Sequence, residues 1–197
     1  MACEDGAVVR ANTAWMTVNL LLAALPFALA VVLFVPRRPH NMTWWLGLGT
    51  FVVFLPNAPY VLTDVVHLSG QARRAPSLVH AAALVAEYSI FITVGLTLYG
   101  GCLFLLRRRL QVDGLERWRW PAELALHALC SVGIFLGRVL RLNSWDLVTR
   151  PRAILQYVGV PRAGTVALIL CTFAVLVVTG LALRVPLAIH ELRRATR

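Results

Sequence analysis

The sequence predicts an all-α, polytopic membrane protein, a single domain over residues 1–197 built as a bundle of five transmembrane helices. Hydrophobic residues make up 59% of the chain, whereas soluble domains average about 45–50%. Five apolar runs are long enough to cross a bilayer as helices, which takes about 20 residues each. Arginines cluster between these runs, as expected at the ends of transmembrane helices.

Each predicted span follows from one apolar run. The first run has Glu4 and Asp5 upstream and lacks the small-residue cleavage site of a signal peptide, so we expect it to be retained. The second run ends in a polar, Pro-containing segment at residues 55–68, and the fourth ends in another at residues 137–146. The third and fifth runs lie between and after them. The spans are predicted at residues 14–35, 44–63, 78–106, 121–140 and 164–185.

The charge pattern predicts the orientation of the bundle. The formal net charge is +10, and all 19 basic residues are arginines. The arginines are more numerous in the loops that follow the odd-numbered spans, so that side should be cytoplasmic. The N-terminus would then lie outside and the C-terminus inside. No nucleic-acid-binding motif accompanies the arginines, so we expect no nucleic-acid partner.

The two polar segments should meet. They close the second and fourth spans, so both lie at the same membrane face whichever way the bundle is inserted. On the second span the polar side chains recur at helical spacing and share one face. Glu87 lies inside the third span, where hydrocarbon disfavours an ionised carboxylate that lacks a role or a partner. The predicted site contains Asn57, Tyr60, Asp64, His67, Glu87, Arg138, Arg141, Asn143 and Asp146.

These residue types favour a phosphorylated ligand. Guanidinium groups bind phosphate with two parallel hydrogen bonds, so Arg138 and Arg141 would hold an anionic lipid at the outer leaflet. Asp64 and Glu87 are the candidate acid or base groups. The remaining polar residues of the site would bind and orient the substrate. Whether the protein is an enzyme or a binder stays open at this point.

Structural interpretations stand beside this one. The charged residues could form a salt-bridge network that only locks the bundle. Asn57 and Tyr60 could simply compensate for the helix break at Pro56 and Pro59. Asp64 and His67, with Glu87 or Asp146, could supply metal ligands. The adjacent arginines would repel a cation, so we expect no metal, and we expect no other cofactor.

Two further functions remain as alternatives. A polar stripe near one face of the fourth span resembles a proton or ion path of a coupled transporter; it consists of Glu123, His127, Ser131, Arg138 and Arg141. Glu123 could instead form a surface pair with Arg119. The protein could also be a non-catalytic subunit that docks a membrane protein partner through the arginine-rich segment at residues 107–119.

Three sequence blocks resemble a family of uncharacterised bacterial integral membrane proteins, domain of unknown function 1361. They are NLLLAALP from Asn19 to Pro26, FLPNAPYVLTDVVHL from Phe54 to Leu68, and GRVLRLNSWDL from Gly137 to Leu147. The resemblance covers nearly the whole chain. It implies a multi-spanning bacterial membrane protein and supplies no reaction. We expect the membrane to be the bacterial cytoplasmic membrane. The chain departs from the family at Leu142, where members tend to have Trp.

Overall fold

Helices joined by short turns form the part of the chain that the structure describes. The computed structural model describes residues 2–36, 40–139 and 163–183, together with residues 149 and 152, and side chains from residue 12 onward. The long helices are α1 (Ala2–Phe34), α2 (Met42–Phe54), α5 (Leu78–Val112), α6 (Arg119–Val139) and α7 (Ala163–Ala182). Two short helices, α3 (Asn57–Tyr60) and α4 (Val65–Arg73), flank a 3-10 turn at Val61–Asp64. These ranges contain no strand.

Five helical segments are long and apolar enough to cross a membrane, which confirms the predicted all-α architecture. The segments are Asn12–Phe34, Met42–Arg73, Leu78–Val112, Glu116–Val139 and Ala163–Ala182. The second segment is longer than the predicted span 44–63, because the chain remains helical through α3, the 3-10 turn and α4 after its break. The third segment also continues past residue 106, to Val112.

The break after α2 has a local cause. Pro56 has no N–H group and disturbs the helical hydrogen-bond ladder. The Ala58 N–H donates to the Leu55 carbonyl at 3.1 Å rather than to Phe54, its usual partner. The Asn57 side chain occupies the position left open and donates to the Phe54 carbonyl at 3.0 Å. The side chain therefore keeps the second span hydrogen-bonded inside the membrane, where water does not reach the backbone.

Two glycines let neighbouring helices approach this break. A Cβ atom at Gly133 of α6 would lie 2.7 Å from Pro56, and one at Gly95 of α5 would overlap Val61. Each glycine therefore admits a contact that any other residue would obstruct. The segment from Pro56 to Asp64 packs between α5 and α6, and this packing positions Asp64 at the end of the 3-10 turn.

The core runs along the centre of the bundle. Helix α1 packs against α5 and α2, and α7 packs against α6. The largest buried core side chains include Phe51, Leu55, Tyr99, Leu103 and Leu176. A smaller cluster of Met16, Val61, Tyr88 and Phe91 lies beside it.

One buried arginine ties the far end of α5 to the α1–α2 loop. Arg109 donates through Nε to Asp113 at 2.7 Å and through Nη1 to the Pro36 carbonyl at 2.7 Å. Its Nη2 also lies 3.2 Å from His40 Nε2. All three nitrogens of the guanidinium are therefore engaged, and the loop is fastened to the helix.

Candidate functional site

Four side chains from three parts of the chain form one polar group, which we call the Asp64 cluster: Asn19, Asp64, His67 and Arg138. Arg138 Nη1 donates to Asp64 Oδ1 at 3.3 Å, and Asn19 Nδ2 donates to Asp64 Oδ2 at 3.3 Å. Arg138 Nη2 lies 3.3 Å from His67 Nε2. The second and fourth spans therefore do bring an acid and a guanidinium together at one end of the bundle.

The fold positions each member of the cluster. Asp64 ends the 3-10 turn that begins at Val61, and the Val61 side chain packs against Gly95. Only 3% of Asp64 is exposed. His67 follows three residues later on the same face and is exposed. Arg138 lies in the last turn of α6, with 28% of its side chain exposed. The cluster therefore has a buried acid and a cation that reaches toward the surface.

His67 contacts Arg138 at the exposed side of the cluster. A guanidinium only donates hydrogen bonds, so in a hydrogen bond between these two residues His67 Nε2 is the acceptor.

Two aromatic side chains, Trp15 and Tyr88, pack beside the cluster. The Trp15 ring lies 6.1 Å from the His67 ring and 6.1 Å from the Tyr88 ring. Its Nε1 donates to Asn12 Oδ1 at 3.2 Å. Asn12 and Gln71 exchange two amide hydrogen bonds, of 2.8 and 3.0 Å, which fasten α1 to α4. The Trp15 ring therefore positions His67, and the Asn12–Gln71 pair positions α4, the helix that carries His67.

The other predicted site residues differ in what the structure shows of them. Asn57 serves the helix break, as the structural interpretation proposed. Tyr60 is half-buried against the hydrophobic core, and no hydrogen bond joins it to the cluster. Glu87 is half-buried on α5, and in the described part of the chain nothing forms an ion pair or hydrogen bond with it. Arg141, Asn143 and Asp146 lie outside the described residues.

The metal interpretation lacks a third ligand in the described ranges. Asp64 and His67 share a cluster, but across residues 12–36, 40–139 and 163–183 no group of three His, Cys, Asp or Glu side chains is arranged to hold an ion. The variant of that hypothesis that uses Glu87 is therefore not formed.

A second polar network lies deeper along α6. Tyr99 of α5 hydrogen-bonds His127 Nδ1 at 2.7 Å, and Ser131 donates to the His127 carbonyl at 2.7 Å. Glu123, one turn earlier, is buried and forms an ion pair with Arg107. The prediction that this stripe faces the bundle interior is confirmed. The alternative surface pair of Glu123 with Arg119 is wrong, because Arg107 of α5 takes that place.

The arginine-rich segment at residues 107–119 is only partly free for a partner. Arg107 and Arg109 turn inward to Glu123 and Asp113. Arg108 and Arg117 are exposed, and Arg117 lies over the Trp118 ring at 5.9 Å.

Sequence reasoning missed Trp15, Tyr88, Tyr99 and Arg107. The tyrosines lie on a stripe of α5 whose buried members recur every three or four residues: Tyr88, Phe91, Gly95, Tyr99 and Cys102. Such spacing marks a buried face and could have identified both hydroxyls as interior groups. Arg107 gave no signal, since it is one of three consecutive arginines at a helix end.

Comparison with protein families gives a match over most of the chain. A family model described as "Protein of unknown function (DUF1361)" matches residues 18–179, a range that includes all four residues of the Asp64 cluster. No curated protein and no solved structure matches the chain.

Proposed function

Because the chain belongs to the family described as "Protein of unknown function (DUF1361)", its role must be argued from its own residues, and we propose that it binds a phosphorylated lipid headgroup through the Asp64 cluster. The proposal rests on the ion pair and the partial exposure of Arg138. Its guanidinium is held by a buried carboxylate, yet 28% of its side chain is exposed at the end of a span. A cation held at that depth can meet a headgroup phosphate.

The free donors of Arg138 support this function. A guanidinium has five N–H donors in a planar fork. Asp64 and His67 each contact one terminal nitrogen, and the described residues engage no other donor. The remaining N–H groups suit the oxygens of a phosphate, which guanidinium binds bidentately.

The length of the ion pair also supports ligand exchange. Charge-assisted hydrogen bonds are usually about 2.7–2.9 Å long, whereas Arg138 lies 3.3 Å from Asp64. A phosphate oxygen at the usual distance would compete well for this guanidinium. Asp64 then positions Arg138 in the protein without ligand and releases it when a phosphate binds.

The other candidate residues take secondary roles in this proposal. His67 lines the exposed side of Arg138. Glu87 is the candidate acid or base. Among the described residues it has no ion pair or hydrogen bond, and such a carboxylate exchanges a proton more easily than one that is bonded to an arginine and an asparagine, as Asp64 is. Arg141, Asn143 and Asp146 follow α6 directly and would extend the phosphate site. The arginine distribution favours the outer leaflet of a bacterial cytoplasmic membrane for this end of the bundle.

Lipid binding tests the proposal. The purified protein would be placed in nanodiscs containing phosphatidic acid or, as a neutral control, phosphatidylcholine. Arg138→Gln should abolish preferential retention of phosphatidic acid in native mass spectrometry. Arg108→Gln is the matched control, because Arg108 is an exposed arginine near the opposite end of α5. Equal retention by Arg138→Gln and the unaltered protein would overturn the proposal.

A second candidate function is proton-coupled transport. The buried hydrogen bond between Tyr99 and His127 favours it, because a phenol and an imidazole can pass a proton inside a membrane protein. Proteoliposomes loaded with a pH-sensitive dye would test it. Proton flux should collapse in Glu123→Gln and in His127→Ala. Unchanged flux in both variants, or no flux in the unaltered protein, would remove this candidate.

A further inference from the structure

The hydroxyl of Tyr88 is fully buried and has no hydrogen-bond partner in the described part of the protein. The residue is 0% exposed, and its OH atom is among the few buried side-chain atoms left without a bond. Leaving a buried hydroxyl unbonded is unfavourable, and proteins rarely do so without a reason. Phe at this position would fill the same space without that cost.

Tyr88 lies beside the Asp64 cluster. Its ring packs against Trp15, which also contacts His67, and its apolar neighbours are Met16, Val61 and Phe91. Val61, the first residue of the 3-10 turn that ends at Asp64, belongs to the same buried cluster as Tyr88. The Tyr88 hydroxyl is therefore an unused hydrogen-bond donor near the buried carboxylate of Asp64.

Phosphate binding creates a need for such a donor. When Arg138 turns toward a phosphate, Asp64 loses its cation and keeps only the hydrogen bond from Asn19. A buried carboxylate with too few donors is strongly destabilised. The Tyr88 hydroxyl, which forms no hydrogen bond with the described residues, is available to supply one.

We propose that Tyr88 is a positioning residue that donates a hydrogen bond to Asp64 whenever Arg138 leaves it. This proposal deepens the proposed lipid-phosphate function and rests on it where a ligand draws Arg138 away. The exchange of donors itself does not need a ligand, because removing the guanidinium by mutation creates the same demand on Asp64. Tyr88 and Arg138 thus alternate as partners of one carboxylate.

A double-mutant cycle tests the exchange without any lipid ligand. Tyr88→Phe should leave the thermal midpoint in detergent unchanged or slightly raised, because it removes an unbonded hydroxyl. In an Arg138→Gln background, the same change should lower the midpoint by about 2–4 °C, since Asp64 then depends on that hydroxyl. Adding Asp64→Leu to that background should abolish this difference, because leucine has no acceptor for the phenol.

Tyr99→Phe is the matched control for the cycle. Its hydroxyl already bonds His127, so its effect should be the same with and without Arg138. The proposal is overturned if Tyr88→Phe lowers the midpoint equally in both backgrounds, or in neither.

A binding measurement then separates the two proposals. In phosphatidic acid nanodiscs, Tyr88→Phe should weaken lipid binding about tenfold, with Arg138→Gln as the full loss. If Arg138→Gln abolishes binding while Tyr88→Phe has no effect, lipid binding stands and the role of Tyr88 fails. If the unaltered protein does not prefer phosphatidic acid, the lipid function fails, and the thermal cycle still decides the donor exchange.

Discussion

Arg138 donates to Asp64 at 3.3 Å although the two residues are 74 positions apart in the chain. The contact joins the last turn of α6 to the 3-10 turn of the second span, and the two partners differ in burial. Only 4% of the Asp64 side chain is exposed, against 28% for Arg138. The cost of losing either partner should therefore be unequal.

We expect Arg138→Gln to lower the free energy of unfolding by about 3 kcal/mol, because it leaves a buried carboxylate without its cation. Asp64→Asn should cost only about 1 kcal/mol, since the guanidinium can extend to the interface. Unfolding in sodium dodecyl sulfate, followed by circular dichroism, measures both. The double variant should resemble Asp64→Asn alone, and strictly additive losses would contradict the pairing.

The close approach of Gly133 to Pro56 gives a second prediction. Gly133→Ala should destabilise the protein by about 1–3 kcal/mol, because its methyl group has no space beside the proline ring. Gly49→Ala is the matched control. Nothing lies within 4 Å of a Cβ there, so the gain in helix propensity should leave stability unchanged or raise it by about 0.5–1 kcal/mol. Equal effects of the two substitutions in the same unfolding assay would argue against tight packing at the break.

The Arg109 contacts predict that lysine cannot replace this arginine. Lysine keeps the charge but lacks the planar fork that reaches three acceptors at once. Arg109→Lys should lower the free energy of unfolding by about 2 kcal/mol and speed proteolysis of the α1–α2 loop. Arg108→Lys, at the exposed neighbouring position, should change neither property. A loop that is cleaved at the same rate in both variants would exclude this fastening role.

The hydrogen bond between Tyr99 and His127 yields a prediction for the deeper network. Tyr99→Phe leaves His127 Nδ1 without its 2.7 Å partner and should cost about 1–3 kcal/mol. Nuclear magnetic resonance of ¹⁵N-labelled histidine should show a changed Nδ1 signal for His127 and unchanged signals for exposed His80. An unaltered His127 spectrum would mean that this bond does not form in the membrane.

The five helical spans could be predicted from the sequence because a membrane restricts which backbone structures can cross it. Long apolar runs must be helices, and the alternation of spans brought residues 55–68 and 137–146 to one face. The meeting of Asp64 with Arg138 followed from that topology. The predicted orientation of the termini and the ligand stay predictions.

Other features depended on contacts that spacing does not encode. Asn57 was placed in the site by its helical stripe, and the structure shows that it also donates to the Phe54 carbonyl, which the Ala58 N–H leaves for Leu55. Glu123 had a candidate partner four residues away in Arg119, yet the packing of α5 on α6 gives it Arg107. Tyr88 lies in an apolar run, where a tyrosine is read as core, and only the structure shows that its hydroxyl is left unbonded.

The apolar residues between Ser131 and Arg138 on α6 have an electrical consequence. Ile134 and Phe135 are buried there, and seven helical residues span about 10 Å at 1.5 Å per residue. That distance is too long for a direct proton jump between the deeper network and the Asp64 cluster. The layer therefore separates the ionisable groups of the two networks, and a charge could cross it only with a water chain or a side-chain movement.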